Sequence, residues 1–213
     1  METKNITELK PGVTLVSADN KKRDPGRTGT LLVVTGPSGV GKGTVVGKTL
    51  ESIDRLAKSV SVTTRSRRNG EEEGVHYFYR SEKEFFDMRD RGEFLESAEF
   101  AGHYYGTPSH WVDDMLKHGI DVILEIEVQG AMQVREKRDD AVLIFLSPPS
   151  FDALAERLRT RATESEEKIR ERLKKAEGEI KQRHLFNYEV INDNLTEAIR
   201  NLESIVYAER LRI

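Results

Sequence analysis

The sequence predicts a three-layer α/β fold with a mostly parallel central sheet. Three apolar runs of strand length, at 30–34 (TLLVV), 121–128 (DVILEIEV) and 141–146 (AVLIFL), are separated by segments of helical character. Continuous apolar runs of this length are typical of parallel strands that are covered by helices on both faces. The length of 213 residues suits one such core with inserted subdomains.

The first element of the core is the strand at 30–34, which leads through a glycine-rich turn into a helix that reaches about residue 54. The segment before it differs in character, because 21–29 (KKRDPGRTG) combines charges with proline and glycine as linkers do. We therefore predict that residues 1–29 are a flexible N-terminal extension and that the domain spans 30–213.

The next elements have more strand character than the core. Apolar or alternating stretches at 57–62 and 93–100 flank a short helix, whose start is marked by a capping box of Ser81 and Glu84. We interpret this β-rich region, 60–110, as an insertion into the α/β core.

In the second half of the chain, helices are predicted before the strand at 121–128 and after the strand at 141–146. Thr107 and Pro108 open a helix, with proline at its first position, and Gly119 ends it. After the strand at 141–146 we expect only helices, which begin after Ser150, after Thr163 (with Glu166 in a capping box) and near Leu195.

Composition excludes several function classes. The 34 Lys and Arg residues and 37 Asp and Glu residues leave a formal net charge of −3, which argues against a general nucleic-acid or anionic-membrane partner. The absence of cysteine excludes disulfides, thiol catalysis and cysteine metal sites. No apolar run approaches the roughly 20 residues that span a bilayer, and the N-terminus has no apolar signal core. We expect a cytoplasmic protein.

The strongest motif is a phosphate-binding loop, GPSGVGKGT, that lies between the first strand and the first helix. Its backbone N–H groups and the helix N-terminus can cradle phosphates, and Lys42 can reach the β- and γ-phosphates of a nucleotide. Gly43 stands where such loops usually carry a Ser or Thr ligand for Mg²⁺, which leaves the metal without an evident hydroxyl ligand. The predicted ATP-binding residues of the loop are Gly36, Pro37, Ser38, Gly39, Val40, Gly41, Lys42, Gly43 and Thr44.

A second anion site is indicated at 61–79 (SVTTRSRRNGEEEGVHYFY). Arg65 and Arg68 lie three residues apart in a turn-like stretch, and two guanidinium groups can grip one phosphate dianion. Tyr77 can add a hydroxyl donor. The alternative interpretation of these residues is a solvated basic loop.

Together with 92–108 (GEFLESAEFAGHYYGTP) and 124–131 (LEIEVQGA), these segments resemble the guanylate kinases, in the same order from about residue 30 to the C-terminus. The resemblance implies a P-loop kinase fold and transfer of the γ-phosphoryl group of ATP to GMP, with dGMP as a second candidate acceptor and Mg²⁺ as cofactor. It divides the chain into a core, a GMP-binding region and a helical lid. The corresponding ranges are 30–59, 111–151 and 179–213 for the core, 60–110 for the GMP-binding region and 152–178 for the lid.

The resemblance also assigns roles to residues outside the loop. The GMP-binding residues would be Ser61, Arg65, Arg68, Tyr77, Glu96, Tyr105, Thr107 and Glu127, with the arginines and tyrosines on the phosphate and the acids and Thr107 on guanine. Asn192 would lie beside adenine, and Glu125 would help to position Mg²⁺ through water. The catalytic cations would be Lys42, Arg65, Arg157, Arg161 and Arg172.

The hydrogen-bonding groups of guanine support the roles of Glu96 and Glu127. Guanine presents N1–H and the 2-amino group as adjacent donors, and an ionised carboxylate only accepts hydrogen bonds. The sequence departs from the family where Glu125 and Glu127 replace frequent aspartates, and where Ala162 replaces a glycine. The alternative interpretation of Glu125 and Glu127 is that they are strand-end acids paired with lysines or arginines. The alternative interpretation of the predicted lid is a charge-rich helix pair. At the level of function the alternatives are a phosphopeptide-binding module of this family without catalysis, and a P-loop kinase for another acceptor. Oligomeric state is not predicted.

Overall fold

The computed structural model describes residues 27–160 and 165–213. Its strands are β1 Leu31–Thr35, β2 Leu56–Lys58, β3 Val62–Thr63, β4 Phe78–Tyr79, β5 Phe94–Phe100, β6 His103–Pro108, β7 Asp121–Glu125, β8 Val142–Ser147 and β9 Tyr188–Ile191. Its helices are α1 Lys42–Ser52, α2 Glu82–Asp90, α3 Ser109–Lys117, α4 Val128–Lys137, α5 Phe151–Thr160, α6 Glu166–Lys181 and α7 Leu195–Arg210.

The central sheet has five strands in the order β2-β7-β1-β8-β9, and all of its pairings are parallel. Successive side chains of a strand point to opposite faces, so Leu32 and Val34 pack with residues of α1 and α7 while Leu31 and Val33 pack with residues of α3 and α4. The predicted three-layer α/β architecture with a mostly parallel sheet is confirmed.

A second sheet of four strands, in the order β4-β3-β6-β5, lies within the β-rich region 60–110. It is mixed, since β6 pairs antiparallel with β3 and β5 while β4 pairs parallel with β3. Helix α2 covers it, and Phe85 of this helix stacks on Phe94 with ring centroids 4.7 Å apart. The register of β5 against β6 shifts between Phe94 and Glu96, an irregularity that can re-aim a side chain.

Two predicted strands have different bounds in the structure. The stretch at 57–62 divides between the sheets, because β2 ends at Lys58 and β3 begins at Val62. The run at 121–128 ends as a strand at Glu125, since Glu127 is already the N-cap of α4.

Two elements of the central α/β core, α4 and β9, were absent from the sequence prediction, as were β4 and β6 of the second sheet. The sequence of α4 has a glycine at its third position and weak apolar periodicity. Strand β9 lies at the edge of the sheet with one buried residue among four, so it has no apolar run.

Helices α2, α5 and α7 begin where predicted, at the Ser81 cap, after Ser150 and at Leu195, whereas the starts of α3 and α6 differ. The capping box of Ser81 and Glu84 begins α2 as expected. Helix α3 has Pro108 as its N-cap and not as its first residue. Helix α6 is capped by Ser165, whose hydroxyl accepts from the backbone N–H of Lys168, whereas the predicted start at Thr163 lies outside the described residues.

Two observations concern the predicted domain boundary at residue 30 and the predicted lid at 152–178. The backbone N–H of Gly29 donates to the carbonyl of Leu116 at 2.8 Å, so contacts with the core begin before residue 30. Helices α5 and α6 form a small core of their own, with Leu154, Leu158 and Ile169 buried. The division into core, GMP-binding region and lid stays a prediction. None of the described helices is long and apolar enough to cross a membrane.

Candidate nucleotide and phosphate sites

The loop after β1 has the geometry of an anion cradle. Helix α1 begins at Lys42, and its N-cap, Gly41, offers no side-chain acceptor to the first-turn N–H groups. Such a helix start attracts anions through its N–H groups and dipole. Gly41 has φ 97° and a Cβ there would lie 2.7 Å from Asn192 Nδ2, so only glycine fits.

Lys42 folds back over this loop. Its Nζ donates to the carbonyl of Gly36 at 2.5 Å and lies 3.7 Å from Glu127 Oε1. The side chain is 13% exposed, so its ammonium group is largely withdrawn from water and close to the place where the cradle's N–H groups converge.

Two residues from distant parts of the chain hold the loop. Asn192, which is buried, donates from Nδ2 to the carbonyl of Val40 at 2.7 Å. Arg172 of α6 donates from Nη2 to Ser38 Oγ at 2.8 Å. The predicted places of Asn192 beside adenine and of Arg172 in catalysis stay predictions, but both residues contact the loop directly.

The predicted phosphate-binding residues divide into an ordered group and an exposed one. The Arg65 guanidinium lies 5.3 Å from the centre of the Tyr77 ring, and the Tyr77 and Tyr105 rings are 6.0 Å apart. Arg68 is exposed on the turn. Ser61 is half-buried, and its carbonyl accepts the backbone N–H of Phe78 at 2.9 Å.

The Arg65 group contains a carboxylate and a phenol to which the sequence analysis gave no role. Arg65 Nη2 donates to Glu71 Oε1 at 2.7 Å, and the Tyr79 hydroxyl donates to Glu71 Oε2 at 2.8 Å. The backbone N–H of Arg68 donates to the same Oε2 at 2.8 Å. The signal in the sequence was the acidic run EEE, which follows the basic run RSRR after the turn residues Asn69 and Gly70 and indicates internal pairing across that turn.

These contacts fix the charges of the group. The hydrogen bond from Arg65, followed by the backbone N–H of Arg68, lowers the pKa of Glu71 to about 2. The same pairing with Glu71 raises the pKa of Arg65. Burial, followed by the hydrogen bond to Glu71, raises the pKa of Tyr79 to about 12. At neutral pH the group therefore presents a charged arginine oriented by a charged glutamate.

A buried carboxyl group lies in the second sheet. The Thr107 hydroxyl donates to Glu96 Oε1 at 2.7 Å, and Glu96 is 5% exposed. Burial raises the pKa of Glu96, while the Thr107 hydroxyl and backbone and the charge of Lys137 act in the opposite direction. A Cβ on Gly130 would lie 3.0 Å from Glu96 Oε2, so the first turn of α4 passes close to this carboxyl group.

Glu125 and Glu127 are both paired with lysines. Lys58 Nζ donates to Glu125 Oε2 at 2.6 Å, and a Cβ on Gly43 would lie 3.3 Å from Glu125 Oε1. Glu127 lies between Lys42 and Lys175, whose Nζ donates to Glu127 Oε2 at 2.9 Å. Burial opposes ionisation of Glu127, but the hydrogen bond from Lys175 and the charge of Lys42 prevail and lower its pKa.

Helix α4 links the cradle to the buried carboxyl group. Its N-cap, Glu127, contacts Lys42, and its third residue, Gly130, passes so close to Glu96 that a Cβ there would lie 3.0 Å from Oε2. The two anion-related sites predicted from separate segments are therefore joined through one helical turn.

The remaining predicted residues have less definite surroundings. Arg157 is half-buried on α5, and Arg161 lies outside the described residues. In the part of the chain that the structure describes, no group of three or more His, Cys, Asp or Glu residues could hold a metal ion alone. Tyr104 packs edge-on against Phe86, 4.7 Å between ring centres, and Trp111 is buried, so both serve packing.

Comparison with known proteins identifies the family. The family model described as guanylate kinase matches residues 28–209. A guanylate kinase of Synechococcus is 48% identical over 185 residues, which are 87% of this chain and 85% of that protein. A guanylate kinase of Desulfitobacterium hafniense is 46% identical over 185 residues, 87% of this chain and 92% of that protein.

A solved structure supports the same assignment. The guanylate kinase from Anaplasma phagocytophilum is 34% identical to this chain, superposes with a TM-score of 0.67, and the match covers 87% of this chain and 88% of that one. The Lys42 loop, the Arg65 group and the buried Glu96 thus lie in a fold shared with solved and sequenced relatives, and the chain belongs to the guanylate kinase family.

Proposed function

We propose that the chain transfers the γ-phosphoryl group of ATP to GMP, giving ADP and GDP. The observation that carries the proposal is the first turn of α4, where the Lys42 cradle and the buried Glu96 meet within four residues of one helix. A nucleoside monophosphate kinase needs a donor cradle and an acceptor site close together, since the two phosphates must come in line.

The donor site is the loop of residues 36–44 with the N-terminus of α1. ATP would lie there with its β- and γ-phosphates on the backbone N–H groups and on Lys42, and with adenine near Asn192. The hydrogen bond of Asn192 to Val40 supports a role next to this loop.

The acceptor phosphate would be bound by Arg65, Arg68, Tyr77 and Tyr105. Arg65 is already oriented by its hydrogen bond of 2.7 Å to Glu71. The Tyr77 ring lies next to the Arg65 guanidinium, and the Tyr105 ring lies next to that of Tyr77. Arg68 is exposed and would turn in when the phosphate arrives, because a dianion can satisfy two guanidinium groups. Ser61 directly precedes β3, and its carbonyl accepts the backbone N–H of Phe78, which follows Tyr77.

Guanine would be recognised by Glu96, Thr107 and Glu127. A carboxylate accepts from N1–H and from the 2-amino group, and the Thr107 hydroxyl can donate to O6, while adenine lacks this donor pair. A site built to hydrogen-bond a group discriminates by roughly 10⁴–10⁵ against analogues that lack it. The burial of Glu96 supports this role, since an unused buried carboxyl group is costly.

Mg²⁺ is the cofactor that this reaction implies, and the residues fit an indirect site. Mg²⁺ keeps several waters and is commonly bound by nucleotide phosphates with one or two carboxylates. Glu125 Oε1 lies beside Gly43 at the cradle, where it would hold a water of the ion. When bound, Mg²⁺ would neutralise charge on the β- and γ-phosphates.

Catalysis would rest on charge and position. The phosphate of GMP is an anionic nucleophile at neutral pH and needs no general base. Lys42 and Arg172, which contact the donor loop, and Arg65 on the acceptor side would stabilise the transferred group, and Arg157 on α5 would join them. Little covalent chemistry is left to the protein in such transfers.

A substrate panel tests the proposal. With ATP and Mg²⁺, release of ADP is measured in the presence of GMP, dGMP, AMP, dTMP or UMP, with Lys42→Ala as the control for contaminating activity. We expect turnover with GMP and a loss of at least about 10²-fold in kcat in the Lys42 variant. Turnover with another acceptor but not with GMP would identify a different kinase. Release of no ADP with any acceptor, together with binding of phosphopeptides, would identify an interaction module.

A further inference from the structure

One face of α6 is directed at both nucleotide sites. Arg172, Lys175 and Glu179 are spaced three and four residues apart, so they share this face. Arg172 contacts Ser38 of the donor loop at 2.8 Å, and Lys175 contacts Glu127 at the start of α4 at 2.9 Å. A single helical turn of α6 thus contacts the cradle and the carboxylate next to the acceptor site.

Glu127 is held between two lysines, one on each oxygen. Lys175 Nζ lies 2.9 Å from Oε2, whereas Lys42 Nζ lies 3.7 Å from Oε1. Lys175 is therefore the closer partner. Without it, Lys42 would be the cation nearest to Glu127, and the carboxylate would turn toward the lysine that the donor phosphates need.

The surroundings of Lys175 favour its contact with Glu127 over the alternative within its own helix. Glu179 lies 3.6 Å from Lys175 Nζ, its side chain is 8% exposed, and its Oε2 has no hydrogen-bond partner among the described residues. Burial, followed by the charge of Glu127, raises the pKa of Glu179. A carboxyl group that is harder to ionise competes less for Lys175, so the ammonium group stays on Glu127.

We propose that Lys175 is a positioning residue for the acceptor site: it holds Glu127 Oε2 so that this carboxylate faces guanine and leaves Lys42 to the donor phosphates. The inference rests on the proposed function, since it gives Glu127 a role toward the acceptor base. It adds to that function a residue of α6 that acts through Glu127 and touches neither substrate.

The test compares Lys175→Met and Lys175→Arg with wild type, with Lys181→Met as the matched control. Lys181 is on the same helix and pairs with Glu177 at 2.8 Å, so the control removes the same charge and the same kind of ion pair away from Glu127. We expect Lys175→Met to raise the GMP KM about three- to fivefold, the scale of a partly exposed ion pair. The ATP KM and kcat should stay within about twofold, Lys175→Arg should restore the GMP KM, and Lys181→Met should match wild type.

A double-mutant cycle decides whether Lys175 acts through Glu127. The Kd for GMP is measured by calorimetry for wild type, Glu127→Gln, Lys175→Met and the double variant. We expect the Lys175 substitution to weaken GMP binding in the wild-type background and to add less than about 1.5-fold in the Glu127→Gln background.

Equal effects in both backgrounds, or an unchanged GMP Kd in Lys175→Met, would overturn the inference. A failure of the proposed function is distinguishable, because wild type itself would then neither bind GMP nor turn it over.

Discussion

At the scale of single residues, the Arg65–Glu71 pair would orient the proposed acceptor phosphate site before any ligand arrives. Glu71 accepts three hydrogen bonds, from Arg65, from the Tyr79 hydroxyl and from the backbone of Arg68. A carboxylate beside a phosphate site lowers the attraction for the anion, but it also removes much of the rotamer freedom of Arg65. An arginine that is already oriented loses less entropy on binding.

Glu71→Gln tests this pair through its pH dependence. The folded-state pKa of Glu71 is about 2, below the ordinary value of 4.5, so its stabilising contribution is present above pH 4.5 and is lost as the pH falls toward 2. We expect wild type to unfold at higher denaturant than Glu71→Gln at pH 7, and this difference to shrink between pH 4.5 and pH 2.

The neighbouring exposed residue gives the control for this measurement. Glu72→Gln removes the same charge from the same acidic run, and its denaturation midpoint should differ little from wild type at any pH. A difference between wild type and Glu71→Gln that does not change with pH would contradict the role given to the Glu71 charge.

Residues that act within one continuous motif could be predicted, and residues that act across the fold could not. The loop around Lys42 is local, so sequence alone brings its nine residues together. Arg65, Tyr77 and Tyr105 meet only through the second sheet, and their common place was expected from family resemblance. Lys175 and Glu127 are 48 positions apart and no sequence motif links them, so their contact could be seen only in the folded structure.

At the scale of elements, α4 is the helix that the sequence analysis missed and the one that joins the two sites. Gly130 costs such a helix roughly 1 kcal/mol relative to alanine, which weakens the helical signal. The structure gives the reason for it, because a Cβ at this position would lie only 3.0 Å from Glu96 Oε2, closer than an ordinary van der Waals contact. Gly130 thus weakens the helical signal of α4 in the sequence and also allows α4 to approach Glu96.

Gly130→Ala should therefore disturb the proposed acceptor site although alanine favours helices. The added methyl group would press on Glu96 Oε2 at 3.0 Å and on Ile126 at 3.3 Å, and a shift of Glu96 would distort its hydrogen bond from Thr107. Small misplacements of binding groups cost large factors, so we expect the GMP KM to rise at least about fivefold. The ATP KM should change less.

Gly47→Ala in α1 is the matched control, because a Cβ there meets nothing within 4 Å. This variant should be stabilised by about 0.4–1 kcal/mol in chemical denaturation, with unchanged kinetics. If Gly130→Ala is stabilised equally and keeps the GMP KM of wild type, the close approach of α4 to Glu96 has no functional weight.

At the scale of the whole molecule, the two ends of the central strands serve different purposes. The candidate site lies at the carboxyl ends of β1 and β7, as is common in open α/β sheets. At the amino end of β7, the fully buried Asp121 accepts from Arg27, from the backbone N–H of Thr30 at 2.7 Å and from Arg210 Nε at 2.7 Å. This acid connects the start of the core with the last helix, far from the chemistry.

Truncation and substitution at the N-terminus should separate these two ends. Removal of residues 1–25 keeps Arg27 and should leave activity and unfolding unchanged.

Arg27→Ala in that shortened chain leaves Asp121 buried with Arg210 as its remaining cation, and partly compensated buried charges are costly. We expect a loss of about 1–3 kcal/mol in free energy of unfolding, with kcat and both KM values unchanged because the site is at the opposite edge of the sheet. The control is Lys48→Ala, whose ion pair with Glu51 is exposed on both sides, 55% and 61% for the two side chains, and should cost less than about 1 kcal/mol. A fall in kcat with the first truncation would make the N-terminal residues part of the enzyme, and an Arg27 variant as stable as its parent would remove Asp121 from the set of residues that hold the core together.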